Sequence, residues 1–182
     1  MKKTPARCLC ILLMLGLFTG CSGQKYLSAD RDEISADLDN WLRARGYALE
    51  QVKTYTREGQ TELETTQYSV SLSDGHFDAD WITASPAVFV DEEKKSGHAV
   101  EVTVLGASRP NVLPVFKQAI AIVAPEQDPQ ELVDELLQLK PKGKTDTVYW
   151  RVDGLEYRYS KSGETDILSV SSARSYLRFA GQ

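Results

Sequence analysis

Cysteine is missing from almost the whole chain, because Cys8, Cys10 and Cys21 all lie within the first 21 of its 182 residues. Residues 22–182 therefore contain no disulfide, no zinc site with thiolate ligands, no iron–sulfur cluster and no cysteine nucleophile. A domain formed by these residues is held together by its core alone, and a chain of about 160 residues is long enough to bury one.

Histidine is also scarce, and acidic residues outnumber basic ones. Only His76 and His98 are present, and His98 begins a predicted strand without a local partner, so we expect no Ser-His-Asp triad. The formal net charge is -5 and no basic stripe runs along the chain, which argues against a nucleic-acid partner. No nucleotide-binding, zinc-protease or serine-hydrolase motif appears, so we predict no cofactor.

The N-terminal segment has the pattern of an export signal. Lys2, Lys3 and Arg7 precede an apolar run over residues 9–18. That run is too short to span a bilayer as a helix, which needs roughly 20 apolar residues. We therefore predict a cleaved signal rather than a membrane-spanning helix.

The end of this segment, Phe18-Thr19-Gly20-Cys21, resembles the lipobox of bacterial lipoproteins, in which a large apolar residue and two small residues precede a cysteine. Phe18 takes the position that is usually leucine. The resemblance implies that residues 1–20 are a signal peptide and that acyl chains such as palmitate are attached to Cys21. Residues 21–27 then form a lipidated tether, which holds the exported domain on the outer side of a bacterial membrane.

Cleavage before Cys21 also changes the charge of the chain. It removes three basic residues and leaves 18 basic against 26 acidic ones, a net charge of -8. Anionic headgroups repel so acidic a domain, so the lipid rather than the protein surface would hold it at the membrane.

Residues 28–182 are predicted to form a single α+β domain with two or three helices. Apolar residues at helical spacing predict a helix over residues 30–45, and a proline-bounded apolar stretch predicts a second helix starting near Leu113 and Pro114. Asp128 and Pro129 are suited to the N-cap and first position of a further helix.

The remaining segments are predicted to be antiparallel strands. Asp74-Gly75 favours a two-residue type I′ hairpin turn that pairs Tyr68 with Trp81, and a strand is expected over 49–57. Strands are also expected over 87–91 and 98–105, and these two are predicted to pair with each other. The helices would pack on one face of the curved sheet that these strands form.

Asp153-Gly154 predicts a second hairpin turn of the same kind, which pairs Trp150 with Tyr157. A further turn at Ser162-Gly163 would place Leu168 beside Tyr157. Residues 147–171 are therefore expected to form a three-stranded meander with one apolar face.

Two groups of acidic residues are candidates for chemistry. Asp74, His76, Asp78 and Asp80 have side chains suited to a metal ion, but a hairpin turn and the solvent face of a strand account for the same residues. We therefore predict no metal site. A carboxylate pair drawn from Glu62, Glu64, Asp91 and Glu101 would suit glycoside hydrolysis, although solvated charges account for all four.

The predicted C-terminal hairpin also supplies aromatic candidates. Trp150, Tyr157 and Tyr159 share one face, where core packing is a simpler explanation than stacking on a sugar or an apolar ligand. On the other face Tyr149 lies opposite Arg158, and this pair is predicted to be exposed and available for a partner contact.

These observations favour a non-enzymatic lipoprotein that binds another envelope protein or a small ligand, or has an accessory role. A lipid-anchored hydrolase and a carrier of an apolar ligand are the alternatives. A hydrolase requires two acids about 5–10 Å apart in a cleft. A carrier requires a large apolar cavity, and an interaction protein an exposed patch with a polar rim.

Overall fold

The structure, a computed structural model, describes residues 30–57, 63–72, 86–93, 99–140 and 146–172. In these ranges three helices and seven strands form one α+β unit. The helices are α1 (Arg31–Arg43), α2 (Arg109–Val123) and α3 (Pro129–Gln138). The strands are β1 (Tyr47–Arg57), β2 (Leu63–Leu72), β3 (Ala87–Glu93), β4 (Ala99–Gly106), β5 (Thr147–Val152), β6 (Leu155–Ser162) and β7 (Thr165–Ser172).

All seven strands belong to one open antiparallel sheet in the order β1-β2-β3-β4-β7-β6-β5. The chain leaves β4, forms α2 and α3, and returns as β5, β6 and β7, so β7 closes against β4. The core lies between one face of the sheet and the helices, with Val102, Phe116 and Leu168 among its fully buried residues. The predicted α+β class, with helices on one face of an antiparallel sheet, is confirmed.

The predicted first helix is confirmed, and local contacts explain both of its ends. The Asp30 carboxylate accepts a hydrogen bond from the Glu33 N–H, and the Glu33 side chain accepts one from the Asp30 N–H. Ile34 and Leu38 face the core with no exposed surface. Gly46, just after the helix, has φ +81°, which glycine adopts without strain.

The predicted start of α2 is wrong by four residues. The helix begins at Arg109, with Ser108 at the N-cap and Pro110 in the first turn. Proline is tolerated there because its missing N–H would have no partner inside the helix. Pro114 lies within the helix instead of opening it. By contrast, α3 begins as predicted, because the Asp128 carboxylate accepts hydrogen bonds from the first-turn backbone.

None of the helices in these ranges is long and apolar enough to cross a membrane.

The predicted neighbour of Tyr68 is also wrong. Tyr68 pairs with Gln51 of β1 on one side and with Val88 of β3 on the other, so both edges of β2 are occupied at this point. The predicted partner Trp81 lies outside the described residues. The predicted pairing of 87–91 with 98–105 is confirmed, since β3 and β4 pair along their length.

The C-terminal meander is confirmed, with one change of register. Trp150 pairs with Tyr157 as predicted, but Tyr157 pairs with Val170 rather than Leu168. The second turn is centred one residue later than predicted, because Ser162 pairs with Thr165 across Gly163 and Glu164. Moving a turn by one residue shifts the pairing by two, and a shift of two keeps the same side chains on the apolar face.

A polar cluster of three side chains fastens the start of α2 to the sheet. Arg109 makes two hydrogen bonds to the Asp166 carboxylate, at 2.8 and 3.0 Å, and Tyr159 donates a third at 2.9 Å. Because these donors favour the charged carboxylate, the hydrogen bond from Arg109 above all, the pKa of Asp166 lies below its ordinary value.

Asp166→Asn is expected to lower the free energy of unfolding at neutral pH by about 2 kcal/mol, since hydrogen bonds to charged groups contribute roughly that much. A carboxyl whose folded pKa is depressed stabilises the fold above its unfolded pKa, about 3.9 for aspartate. This contribution is lost as the pH falls through the folded pKa. We therefore expect the difference in the free energy of unfolding between wild type and variant, measured by urea unfolding, to be smaller at pH 3 than at pH 7. An equal difference at the two pH values would show that the charged Asp166 carboxylate is not the source of the stability.

Candidate binding groove beside strand β5

Several residues singled out in the sequence lie outside the described part of the chain. They are Cys21, Glu62, Asp74, His76, Asp78, Asp80 and His98, together with the side chains of Glu64 and Asp91. Within the described ranges, no group of three histidine, cysteine, aspartate or glutamate residues is placed to hold a metal ion.

The predicted exposed pair is half right. Tyr149 and Arg158 are cross-strand neighbours, and Tyr149 is 57% exposed. The Arg158 side chain is only 14% exposed, and its guanidinium donates to the Glu101 carboxylate at 2.6 Å. Arg158 is therefore part of a largely buried ion pair, and only Tyr149 is available to a partner.

Glu101 is not the solvated charge that the sequence suggested, since its side chain is 3% exposed. It lies on β4 and Arg158 on β6, with β7 between them. On that face β7 carries Ser169 and Ser171, whose small side chains leave room for the two long ones to meet across the strand. Thr103 adds a hydrogen bond to the same carboxylate.

The predicted packing of the aromatic set is confirmed. Tyr157 is fully buried, while Trp150 and Tyr159 pack against the core from its rim. The Tyr157 hydroxyl donates to the Gln127 side chain at 2.6 Å, and the amide of Gln127 donates to Asp153 at 3.0 Å. Burial, and secondarily the negative charge of Asp153, raise the pKa of Tyr157. This chain of contacts fixes the loop before α3 against the β5–β6 turn.

A groove of about 330 Å³ lies between α3 and β5. Its apolar lining comes from Leu132 of α3 and from Trp150 and Val152 of β5. Its polar lining is mostly carboxylates, with Gln127 beside them; the acids are Glu126, Asp128, Glu131, Glu135 and Asp153. We call this surface the acidic groove.

The two glutamates that α3 contributes to the acidic groove have no cationic partner among the described residues. Asp128 caps α3, and Asp153 accepts a hydrogen bond from Gln127. Glu131 and Glu135 are exposed, and no described residue forms an ion pair with either carboxylate. Two glutamates one helical turn apart repel each other, so the groove favours a cationic group.

Strand β5 forms the edge of the sheet beside the acidic groove. Asp153 and Gly154 form the predicted two-residue turn, and their φ values of +49° and +81° are those of type I′. The residues that flank such a turn exchange hydrogen bonds with each other, and bonded pairs alternate along the ladder. The N–H and C=O groups of Tyr149 and Arg151 therefore point away from β6, toward the open edge.

The opposite edge of the sheet is built differently. β1 carries a bulge between Gln51 and Lys53, and Lys53 adds a positive charge there. Bulges and edge lysines both hinder the addition of another strand. The pairing of β5 with β6 is continuous, so its outer edge keeps the regular geometry that an added strand needs.

Sequence reasoning missed the acidic groove, although one signal was present. Glu131 and Glu135 are four residues apart in a predicted helix, so they share a face. Nothing in the local sequence places that face beside Trp150.

Comparisons with protein families, with characterised proteins and with solved structures find no match to this chain.

Proposed function

We propose that this protein is a lipid-anchored lipoprotein of the bacterial envelope and that its domain binds another envelope protein without catalysing a reaction. The acidic groove, beside an edge of β5 with which no described strand pairs, is the observation that carries this proposal. It combines an apolar lining, a charged rim and free backbone hydrogen-bonding groups, the three components of a protein-binding surface.

The anchor in this proposal is the acylated side chain of Cys21. The tether that follows is short, since α1 begins at Arg31, so the domain would stay close to the membrane surface. The processed chain has a net charge of -8, which keeps its surface off anionic headgroups and available to a protein partner.

One experiment tests the anchor and the binding surface together. A photo-reactive phenylalanine analogue replaces Tyr149, on the edge strand β5 that borders the acidic groove, or Val52 on the opposite edge of the sheet, in the full chain expressed in its native host. These positions are equally exposed, at 57% and 58%, and so form a matched pair. We expect the Tyr149 derivative to form a discrete protein adduct in the membrane fraction and the Val52 derivative to form none.

The same chain carrying Cys21→Ala should leave the membrane fraction, because it lacks the acylated thiol. A Cys21→Ala chain that remains with the membranes would contradict the lipid anchor. Equal labelling from the two photo-reactive positions, or no adduct from either, would contradict binding through the β5 side of the domain.

A further inference from the structure

We infer that the partner enters the acidic groove as an extended segment that adds to β5 as an eighth strand and carries lysine or arginine at alternate positions. This inference rests on the proposed function and specifies its binding mode. It joins two separate observations, the outward backbone groups of Tyr149 and Arg151 and the uncompensated carboxylates of α3.

The backbone contribution comes from the edge of β5. A segment that lies antiparallel to β5, as every strand pair of this sheet does, would exchange hydrogen bonds with Tyr149 and Arg151. An added strand lies about 4.8 Å beyond its neighbour. That position is over the opening between β5 and α3, where the acidic groove lies.

The side-chain contribution to binding comes from a match between two spacings, that of alternate side chains on the added strand and that of Glu131 and Glu135 on α3. Side chains two residues apart on a strand share a face and are about 6.8 Å apart. Glu131 and Glu135 are four residues apart on α3, a rise of about 6 Å. Two basic residues at alternate positions would therefore meet the two carboxylates. Their methylene chains would lie against Trp150 and Val152, which line the same groove.

Charge complementarity selects this occupant over a second copy of the same chain. A second β5 added edge to edge would bring two acidic grooves together, and each processed copy has a net charge of -8. Like charges at an interface oppose association. A basic segment from another protein has the opposite sign and relieves the repulsion between Glu131 and Glu135.

The test uses the full chain purified in detergent and a fluorescent peptide of alternating lysine and threonine, with binding measured by fluorescence anisotropy. Replacing every lysine with glutamate should abolish binding. Glu131→Gln with Glu135→Gln should weaken binding of the lysine peptide by about tenfold, because two charge contacts are lost. Asp37→Asn with Glu50→Gln, two exposed acids outside the groove, makes the same change in net charge and should leave Kd within about a factor of two.

Methylation of the peptide backbone separates strand addition from simple charge attraction. In the antiparallel arrangement the threonine N–H groups point toward β5 and the lysine N–H groups point away. N-methylation of the threonine residues should therefore weaken binding by about tenfold or more, whereas N-methylation of the lysine residues should leave it nearly unchanged. The two peptides have the same composition and charge.

Equal binding of the two methylated peptides would overturn strand addition. Equal effects of the two double variants would overturn the contact between the basic residues of the segment and Glu131 and Glu135. If the lysine peptide does not bind while the Tyr149 derivative still forms its adduct in cells, the inferred binding mode is wrong and the proposed function stands. If analytical ultracentrifugation shows a dimer that the lysine peptide does not dissociate, a second copy occupies the edge of β5 and the inferred binding mode is wrong.

Discussion

Replacing Phe116 with alanine is expected to lower the free energy of unfolding by about 3–5 kcal/mol, the range for removing a phenyl ring from a packed core. Phe116 lies on α2 with no exposed surface, among other buried residues of the same helix such as Ala119 and Ile120. Its neighbours belong to the single core between the helices and the sheet, so they cannot collapse fully into the cavity that the ring leaves.

This loss is a large fraction of the whole free energy of unfolding, since domains are stable by only about 5–15 kcal/mol. No disulfide within residues 22–182 limits the unfolded chain, so the core carries the stability by itself. Urea unfolding followed by circular dichroism measures the effect. Phe116→Leu, which keeps most of the apolar volume, should cost less than half as much. Equal costs for the two variants would show that the ring is not tightly packed.

The second large effect is expected from Arg158→Met, which should destabilise the fold by about 3–5 kcal/mol because it removes one partner of a buried ion pair. The Glu101 carboxylate would remain on the sheet, 3% exposed and without the guanidinium now 2.6 Å away. Methionine retains much of the apolar volume of the arginine side chain, so the measured loss reports the missing charge rather than a cavity.

Two further variants make this prediction specific. Arg43→Met breaks the ion pair with Asp39 on α1, where the arginine side chain is 55% exposed, and should cost about 1 kcal/mol or less. Glu101→Gln combined with Arg158→Met removes both charges and should be more stable than Arg158→Met alone. If the double variant is the less stable of the two, the buried charge is not the cause of the loss.

Local features were predicted well because their causes lie within a few residues. The start of α3 follows from the Asp128 cap and Pro129, and the β5–β6 hairpin follows from the turn at Asp153-Gly154. Errors arose where two local signals were nearly equivalent. Pro110 and Pro114 are both plausible near a helix start, and a turn at Ser162 or at Gly163 leaves the same residues on the apolar face.

Contacts between distant segments were not predictable in the same way. Arg158 and Glu101 are 57 residues apart, as are Arg109 and Asp166. In the sequence Arg158 is one polar residue in an alternating strand, with nothing to distinguish it from a solvated side chain. Its ion pair with Glu101 depends on which strand lies beyond β7, and the antiparallel pairing of β4 with β7 decides that.

The sequence by itself therefore determined the α+β class, helix α1, the start of α3 and the hairpin that presents Tyr149, because capping, turn geometry and alternation act over a few residues. The tertiary structure alone decided that α3 lies beside the edge of β5 and that Glu131 and Glu135 face Trp150 across a groove. The physical reason is that helix packing depends on shape and burial across the whole core, and no short stretch of residues carries that information.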